Sequence, residues 1–201
     1  MIVKIFVSPS SQALIDLYHQ EEGEVIIGVE QGAYMLAKNR IAMDRAVGDF
    51  DSVNEEEKKH IAKYAEAVAL HEVEKDETDT ELAVDMALSY RPEKILIYGG
   101  IGTRFDHAYA NMMLLKKGPI EQIDLHHRMY VLQPGTYDIK NTFSYISFFA
   151  LEKVKNLKLE GFYYPLETDQ LERFDPLCIS NQGSGQVSFE EGLLLVIHAN
   201  D

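Results

Sequence analysis

The chain has 201 residues, enough for one large domain or two modest ones, and its 46% apolar and 26% charged residues are ordinary for a globular protein. Its formal net charge of −14 argues against partners such as nucleic acid or an anionic membrane surface. The single cysteine, Cys178, excludes an intrachain disulfide, and with no signal peptide or membrane span in the pattern we expect a cytoplasmic protein.

The first 120 residues alternate between strand-like and helix-like patterns. Apolar runs predict strands at residues 2–7, 24–29, 41–47 and 94–98. Helical patterns lie at residues 11–18, 32–38, 54–69, 78–90 and 106–117. Strands that alternate with helices predict βαβ units, and therefore a three-layer α/β domain with a mostly parallel sheet.

Capping residues mark the ends of several predicted helices. Ser10 precedes the first helix, and Thr78 forms a T-x-x-E capping box with Glu81. Gly118 is the predicted C′ residue of the last helix. Asn54 opens the longest one, whose apolar residues recur at helical spacing: Ile61, Tyr64, Ala65, Val68 and Ala69.

The pattern changes near residue 123. Beyond it, no helical period continues, and short strand-like runs are separated by turns such as Pro134-Gly135. This pattern predicts a small antiparallel β-sandwich. We therefore divide the chain into an α/β domain, residues 1–123, and an all-β domain, residues 124–201, and clefts between domains are common ligand sites.

The stretch GDFDS, residues 48–52, lies between a predicted strand and a predicted helix. Asp49 and Asp51 are two residues apart, so in an extended segment their carboxylates point to the same side. Such carboxylates repel each other unless a cation lies between them, and their oxygens suit Mg²⁺ or Ca²⁺. In the alternative interpretation, Asp51 or Ser52 only starts the following helix.

The stretch KDETDTE, residues 75–81, begins another predicted helix. Asp76 and Asp79 are three residues apart and can share one face. A helix N-terminus favours a phosphate, whose oxygens Lys75 could neutralise. Acidic residues are also common in a first helical turn without any ligand, so a solvated helix start remains the alternative.

The stretch YGGIGTRFDH, residues 98–107, is a glycine-rich turn between a strand and a helix. Gly99 and Gly102 allow backbone N–H groups to approach a phosphate. The spacing is neither that of a Walker A loop nor that of a dinucleotide fingerprint. The helix entrance adds Arg104, Asp106 and His107. The alternative is a tight turn with Asp106 as N-cap.

The three stretches share one position in the predicted fold, where a strand ends and a helix begins. Parallel strands end at the same edge of a sheet, so the four aspartates should converge beside the glycine turn. This arrangement suits metal-assisted chemistry on phosphates. Cys178 has no motif around it and is expected in a core, and His126 and His127 form no zinc pattern.

In chain order, these motifs resemble the pattern of the thiamine pyrophosphokinase (thiamin diphosphokinase) family. That pattern reads G-D-x-D-S, K-D-x-T-D, G-x-x-G-x-R-x-D-H-x-x-x-N and S-N. Here it corresponds to residues 48–52, 75–79 and 99–111, and to Ser180 and Asn181. Each motif alone is weak, but the ordered set is specific and covers nearly the whole chain.

The resemblance implies a Mg²⁺-dependent enzyme that transfers pyrophosphate from ATP to the hydroxyl of thiamine, giving thiamine diphosphate and AMP. It also implies a homodimer with sites between the α/β domain of one subunit and the β domain of the other. The catalytic and metal-binding carboxylates would be Asp49, Asp51, Asp76 and Asp79. The groups around the phosphates would be Lys75, Gly99, Gly102, Arg104, Asp106 and His107, and those at thiamine Ser180 and Asn181.

The chain departs from the family pattern at three places. Glu30-Gln31-Gly32 stands where Asp-Gly-Gly is usual, which leaves open whether Glu30 is a ligand. Thr103 replaces the glycine common before the arginine. The chain has no tryptophan, so the indole that stacks on thiamine in some members is missing, and Leu195 falls near its place.

Two other functions fit the same residues. Residues 49–53 nearly match the D-x-D-x-[TV] motif of haloacid-dehalogenase-like phosphatases, with Asp49 and Asp51 as the acidic pair. That fold needs a further acidic motif downstream, and the α/β half offers no clear one. A non-enzymatic module that binds a nucleotide or a metal would use the same pocket.

Overall fold

A computed structural model describes residues 1–8, 11–70, 77–102 and 104–201. The chain divides into two units, Met1–Leu125 and His126–Asp201. The first unit alternates strands and helices, and the second is built from strands that pair antiparallel, which confirms the predicted fold class. Four residues of the sequence predictions, Ser10, Lys75, Asp76 and Thr103, lie outside the described residues.

The first unit contains a parallel sheet. Its strands are β1 (Ile2–Phe6), β2 (Val25–Val29), β3 (Met43–Gly48), β4 (Ala65–Leu70), β5 (Lys94–Tyr98) and β6 (Ile120–Ile123). Its helices are α1 (Gln12–Ile15), α2 (Gln31–Lys38), α3 (Glu55–Ile61), α4 (Asp79–Ser89) and α5 (Phe105–Leu114). The strand order is β4-β3-β2-β1-β5-β6, and each neighbouring pair is parallel.

Strand β1 is buried on both faces. Val3 and Ile5 point to one face and Lys4 and Phe6 to the other, and all four are at most 1% exposed. A strand of this kind requires cover on both sides, which fits the predicted three-layer domain. In the sheet, β2 lies on one side of β1 and β5 on the other. The strand order therefore reverses at β1, and the crevice beside β1 and β5 is a topological switch point.

The long helix predicted from Asn54 is wrong beyond Ile61. Helix α3 ends there, and residues 65–70 form the edge strand β4, which pairs with β3. The apolar positions of this segment fit a helical period, yet AEAVAL is also a short run that is apolar except for Glu66, and such a run fits a strand equally well. Residues 65–70 form a strand because they hydrogen-bond to the open edge of β3, some twenty residues away in the chain.

Smaller differences concern helix ends. Helix α1 is capped by Ser11, whose Oγ accepts the N–H of Leu14 at 3.2 Å. Helix α5 ends at Leu114 and continues as a 3₁₀ turn, after which Gly118 is extended (φ 177°) rather than left-handed. Thr78 caps α4 as predicted. None of the helices in the described parts of the chain is long and apolar enough to cross a membrane.

The second unit is an antiparallel β domain with its own core. Its strands are β7 (His127–Leu132), β8 (Gly135–Ile139), β9 (Tyr145–Glu160), β10 (Leu166–Leu171), β11 (Gly185–Phe189) and β12 (Glu191–Ala199). The order is β7-β12-β9-β11-β8, and β10 also pairs with β9. The first part of β9 pairs with β12, and its last part pairs with β10 and β11. The long strand β9 therefore extends along the core from one end to the other.

Candidate active site

Three carboxylates from two neighbouring strand ends lie together at the carboxyl edge of the parallel sheet. Glu30 follows β2, Asp49 and Asp51 follow β3, and one oxygen of each lies within 4.8 Å of the others. Mg²⁺ holds oxygens at about 2.1 Å, so ligands on opposite sides of one ion are about 4.2 Å apart. The cluster therefore fits a hard divalent cation after small side-chain shifts.

The side chain of Glu30 braces the loop that carries the two aspartates. Its Oε1 accepts the backbone N–H of Phe50 at 2.7 Å, and its Oε2 accepts the hydroxyl of Ser52 at 2.7 Å. Its own backbone N–H donates to the carbonyl of Val47 in β3 at 3.1 Å. Each carboxylate oxygen keeps a second lone pair, so Glu30 can brace the loop and still offer an oxygen to a cation.

The loop itself is a turn and not the extended segment expected from the sequence. Phe50 has a positive φ of 56°, and its side chain is 3% exposed within the core of this unit. The carboxylate of Asp49 accepts the N–H of Asp51 at 3.0 Å. The two aspartates therefore lie together because Phe50 is anchored between them, a reason that differs from the predicted one.

Two local features show how tightly the region around Glu30 and Gly48 is packed. Glu30 has φ 52° and ψ −124°, an unusual conformation for a residue with a side chain, and it serves as N-cap of α2. Gly48 has φ 144°, and a Cβ at this position would lie 1.9 Å from Oε1 of Glu30. Glycine is therefore required at position 48 because the carboxylate of Glu30 occupies the space.

The electrostatics of the cluster favour a bound cation. Burial raises the pKa of Glu30 above its ordinary value, and the nearby charges of Asp79 and Asp49 raise it further. The hydrogen bonds from Ser52 and Phe50 act in the opposite direction and stabilise the charged form. Asp79, the first residue of α4, thus acts on the same cluster as the GDFDS aspartates.

The glycine turn after β5 is held by two buried amides. Gly99 and Gly100 have positive φ values of 91° and 77°. Nε2 of Gln122 donates to the carbonyl of Gly99 at 2.9 Å, and Nδ2 of Asn111 donates to that of Gly100 at 3.0 Å. A Cβ at Gly100 would lie 2.8 Å from both amide nitrogens. With its carbonyls tied inwards, the turn keeps a fixed shape.

Gln122 was missed by the sequence analysis, although a signal existed. It is fully buried in β6, within the short run IEQI, where an apolar residue is expected. A polar side chain in a buried strand needs a partner, and here the partner is a backbone carbonyl of the glycine turn.

Arg104 and Asp106 form an exposed ion pair at the entrance of α5. Nε of Arg104 donates to Asp106 at 3.0 Å, and Nη2 donates to its second oxygen at 2.5 Å. The hydrogen bond from Arg104 is the main reason that the pKa of Asp106 is well below its usual range. Arg104, and not Asp106, occupies the N-cap position, while His107 lies exposed in the first turn.

In the second unit, Ser180 and Asn181 differ in what they can offer. Ser180 is exposed and has a positive φ of 57°. Asn181 is 3% exposed, and its amide accepts the N–H of Tyr164 at 2.9 Å and donates to the carbonyl of the same residue at 2.7 Å. Leu195 is buried in β12, so it offers no surface in place of the missing indole.

Cys178 is confirmed as a core residue of the second unit. It is 4% exposed within the apolar cluster, and burial raises the pKa of its thiol to about 11. A thiol of this kind is a poor nucleophile at neutral pH.

The first unit is thus a parallel α/β domain with an acidic cluster and a glycine turn at its carboxyl edge, a site of the phosphate-handling class. The model of the thiamin pyrophosphokinase catalytic domain matches residues 18–126, and that of the thiamin pyrophosphokinase vitamin B1 binding domain matches residues 136–194. The chain belongs to the thiamin pyrophosphokinase family.

Individual relatives agree with this assignment. The chain is 38% identical to a thiamine pyrophosphokinase of Bacillus subtilis over 194 residues, which cover 91% of each protein. Its structure is similar to the crystal structure of the thiamine pyrophosphokinase from Bacillus subtilis (TM-score 0.89, 35% identity, 100% of both chains). A structure of the Geobacillus thermodenitrificans thiamin pyrophosphokinase gives a TM-score of 0.87 at 34% identity, over 100% of this chain and 98% of that one.

Gly48→Ala should lower the free energy of unfolding by at least about 2 kcal/mol, because the new Cβ overlaps the carboxylate of Glu30 and the backbone conformation is unfavourable. Gly23→Ala is the matched control, since Gly23 also has a positive φ (71°) but has nothing within 4 Å of the added Cβ. Denaturant unfolding of both variants measures the difference. Equal losses would show that the Glu30 contact does not constrain the loop.

Proposed function

We propose that this chain is a thiamine diphosphokinase that transfers pyrophosphate from ATP to the hydroxyl of thiamine and releases AMP. The observation that carries the proposal is the Glu30, Asp49 and Asp51 cluster at the carboxyl edge of the sheet, in a chain of this family. Mg²⁺ is the proposed metal, since hard carboxylate oxygens suit it. The cytoplasm remains the proposed location.

The residues have distinct proposed roles in the transfer. Asp49, Asp51 and Asp79 would hold the metal, which would shield the phosphate charges and stabilise charge on the transferring group. Lys75 and Asp76 remain proposed members of this site. The hydroxyl oxygen of thiamine attacks the β-phosphorus of ATP and gives its proton to one of the aspartates. The bond between the β-phosphorus and the oxygen that bridges it to the α-phosphorus breaks, and AMP leaves with that oxygen.

The glycine turn is the proposed binding site for the remaining phosphate oxygens. Gly99 follows β5, which is two strands from β2, so it lies about 10 Å from Glu30 along the sheet edge. A polyphosphate chain can span such a distance. Arg104 would use N–H donors left over from its pair with Asp106, or exchange that carboxylate for a phosphate, while Gly102, Asp106 and His107 complete the surroundings.

The two alternative functions are not favoured. Family membership supports neither a haloacid-dehalogenase-like phosphatase nor a non-enzymatic module.

The proposal is tested by incubating the protein with thiamine, ATP and Mg²⁺ and identifying both products. We expect thiamine diphosphate and AMP in equal amounts, because the pyrophosphoryl group moves as one unit. ADP as co-product, phosphate release from simple phosphomonoesters, or binding of ATP without turnover would each contradict the proposal.

Asp51→Asn should lower kcat by at least roughly 100-fold, because it removes one negative charge from the metal site at constant shape. The fold should persist, since Asp51 is exposed. Mn²⁺ binding, followed by electron paramagnetic resonance, should weaken in parallel. Asp169→Asn, an equal charge change at an exposed site of the second unit, is the control. Wild-type kcat in Asp51→Asn would refute the metal site.

We further propose that the active species is a homodimer whose sites combine the α/β domain of one subunit with the β domain of the other. Sedimentation velocity at assay concentration should give a dimer. A strictly monomeric protein with full activity would rule out shared sites.

A further inference from the structure

Two carbonyl groups of the glycine turn after β5 point to the same side of the turn. Gln122 on β6 donates to the carbonyl of Gly99 at 2.9 Å, and Asn111 on α5 donates to that of Gly100 at 3.0 Å. A Cβ built on Gly100 would lie 2.8 Å from the donor nitrogen of each amide. Since one point lies so near both nitrogens, the two amides stand on one side of the turn, and both carbonyls are directed there.

The N–H groups of the same peptide units therefore point to the opposite side. In a planar trans peptide the C=O and N–H bonds are antiparallel, so the carbonyl of Gly99 sets the direction of the N–H of Gly100. The carbonyl of Gly100 sets that of Ile101 in the same way. In the described part of the chain, neither N–H has an acceptor. Successive N–H groups of a turn that share one direction form a concavity suited to an anion.

The position of these N–H groups indicates which anion they suit. The turn follows β5 directly, so it lies at the carboxyl edge of the parallel sheet, the edge that also carries the acidic cluster. Carboxylates repel the oxygens of a polyphosphate wherever no cation lies between them. The part of a polyphosphate that lies away from the metal therefore needs neutral donors, and backbone N–H groups are donors of this kind.

The hydrogen bonding of Gln122 is not what the stability of the fold requires. Gln122 is fully buried and shares a face of the sheet with Ile120 and with its cross-strand neighbour Ile97. Its Oε1 is buried and has no hydrogen-bond partner among the described residues. An unpaired buried acceptor costs free energy, so an apolar side chain would serve the core equally well. What Gln122 adds is the orientation of the Gly99 carbonyl.

We propose that Gln122 is a positioning residue of the phosphate site: it holds the carbonyl of Gly99 inwards and thereby directs the N–H of Gly100, beside that of Ile101, at an oxygen of a bound polyphosphate. Because Gln122 is fully buried, it acts through the turn and not by contact with the ligand. The role of Gln122 rests on the proposed function, since that function places a polyphosphate at the glycine turn.

Inorganic tripolyphosphate tests the N–H groups without the rest of the substrate. It is titrated into isotope-labelled protein in the presence of Mg²⁺, and the backbone amides are followed by NMR. The amide signals of Gly100 and Ile101 should shift downfield, because an N–H that binds a phosphate oxygen is deshielded. Gly23, a glycine of the same unit with positive φ and an open surrounding, is the reference and should not shift. Unshifted signals at both Gly100 and Ile101 would overturn the proposal without any variant.

Gln122→Met removes the donor and keeps an unbranched side chain of similar length. We expect the Kd for tripolyphosphate and the KM for ATP to rise roughly 10-fold, with the KM for thiamine nearly unchanged. The free energy of unfolding should change little, because the variant loses one hydrogen bond and also removes the unpaired Oε1. Ile120→Val is the matched control, since it alters the same face of β6 without a bond to the turn.

The two KM values and the unfolding experiment separate a positioning role from a structural one. A Gln122→Met protein with lowered stability and unchanged Kd for tripolyphosphate would make Gln122 a structural residue and refute the proposal. Equal losses of affinity in Ile120→Val would refute it as well, because affinity would then follow the packing of β6. A parallel rise of the KM for thiamine would also contradict it, since the turn would not act on the phosphates alone.

These results are distinguishable from a failure of the proposed function. If the protein binds tripolyphosphate and Gln122→Met weakens that binding, yet no thiamine is converted, the proposed function fails and the role of Gln122 at a phosphate site remains. If thiamine is converted and Gln122→Met keeps its affinity for tripolyphosphate and ATP, only the assignment of Gln122 fails.

Discussion

The carboxylate of Glu30 is the contact on which the acidic site depends. It accepts hydrogen bonds from Phe50 and Ser52, and so joins the end of β2 to the loop after β3. Phe50 can keep its positive φ because its side chain is buried and its N–H is satisfied by that carboxylate. This turn sets the distance between Asp49 and Asp51. Gly48 has no side chain, and the carboxylate of Glu30 fills the space that a side chain would need.

The same arrangement recurs at the other two candidate regions. In both regions, buried polar side chains bind backbone groups of an adjoining turn. Gln122 and Asn111 hold the carbonyls of the glycine turn, and Asn181 holds the segment of Tyr164. Breaking such a bond in an apolar surrounding costs about 1–3 kcal/mol for each group left unpaired, so these amides resist movement. Gln122 is held through its Nε2 alone, since its buried Oε1 has no hydrogen-bond partner in the described part of the chain. The backbone beside these candidate site groups is therefore held in place by buried side chains.

The sequence predicted features that depend on local patterns, and it failed where distant partners decide. The strands β1 and β5 were recognisable as apolar β-branched runs, and the motifs correctly placed Asp49, Asp51 and Gly99 just after strand ends. The helix beyond Ile61 was wrong because pairing with β3 overrides a local period. The turn at Phe50 could not be foreseen, since it depends on a side chain twenty positions away. The bond from Gln122 to Gly99 spans 23 positions and was hidden for the same reason.

The hydrogen bonds of Glu30 also explain how the fold tolerates its cluster of acidic residues. Three carboxylates within one small volume repel one another, and Asp79 adds a fourth negative charge nearby. Two hydrogen bonds to Glu30 and one to Asp49 offset part of this repulsion. Proton uptake by Glu30, whose pKa is raised, or the cation proposed above would relieve the remainder, and binding of that cation would then stabilise the loop by mass action. The longer side chain of glutamate matters here, because it reaches both Phe50 and Ser52 from the end of the neighbouring strand while its oxygens remain within the cluster.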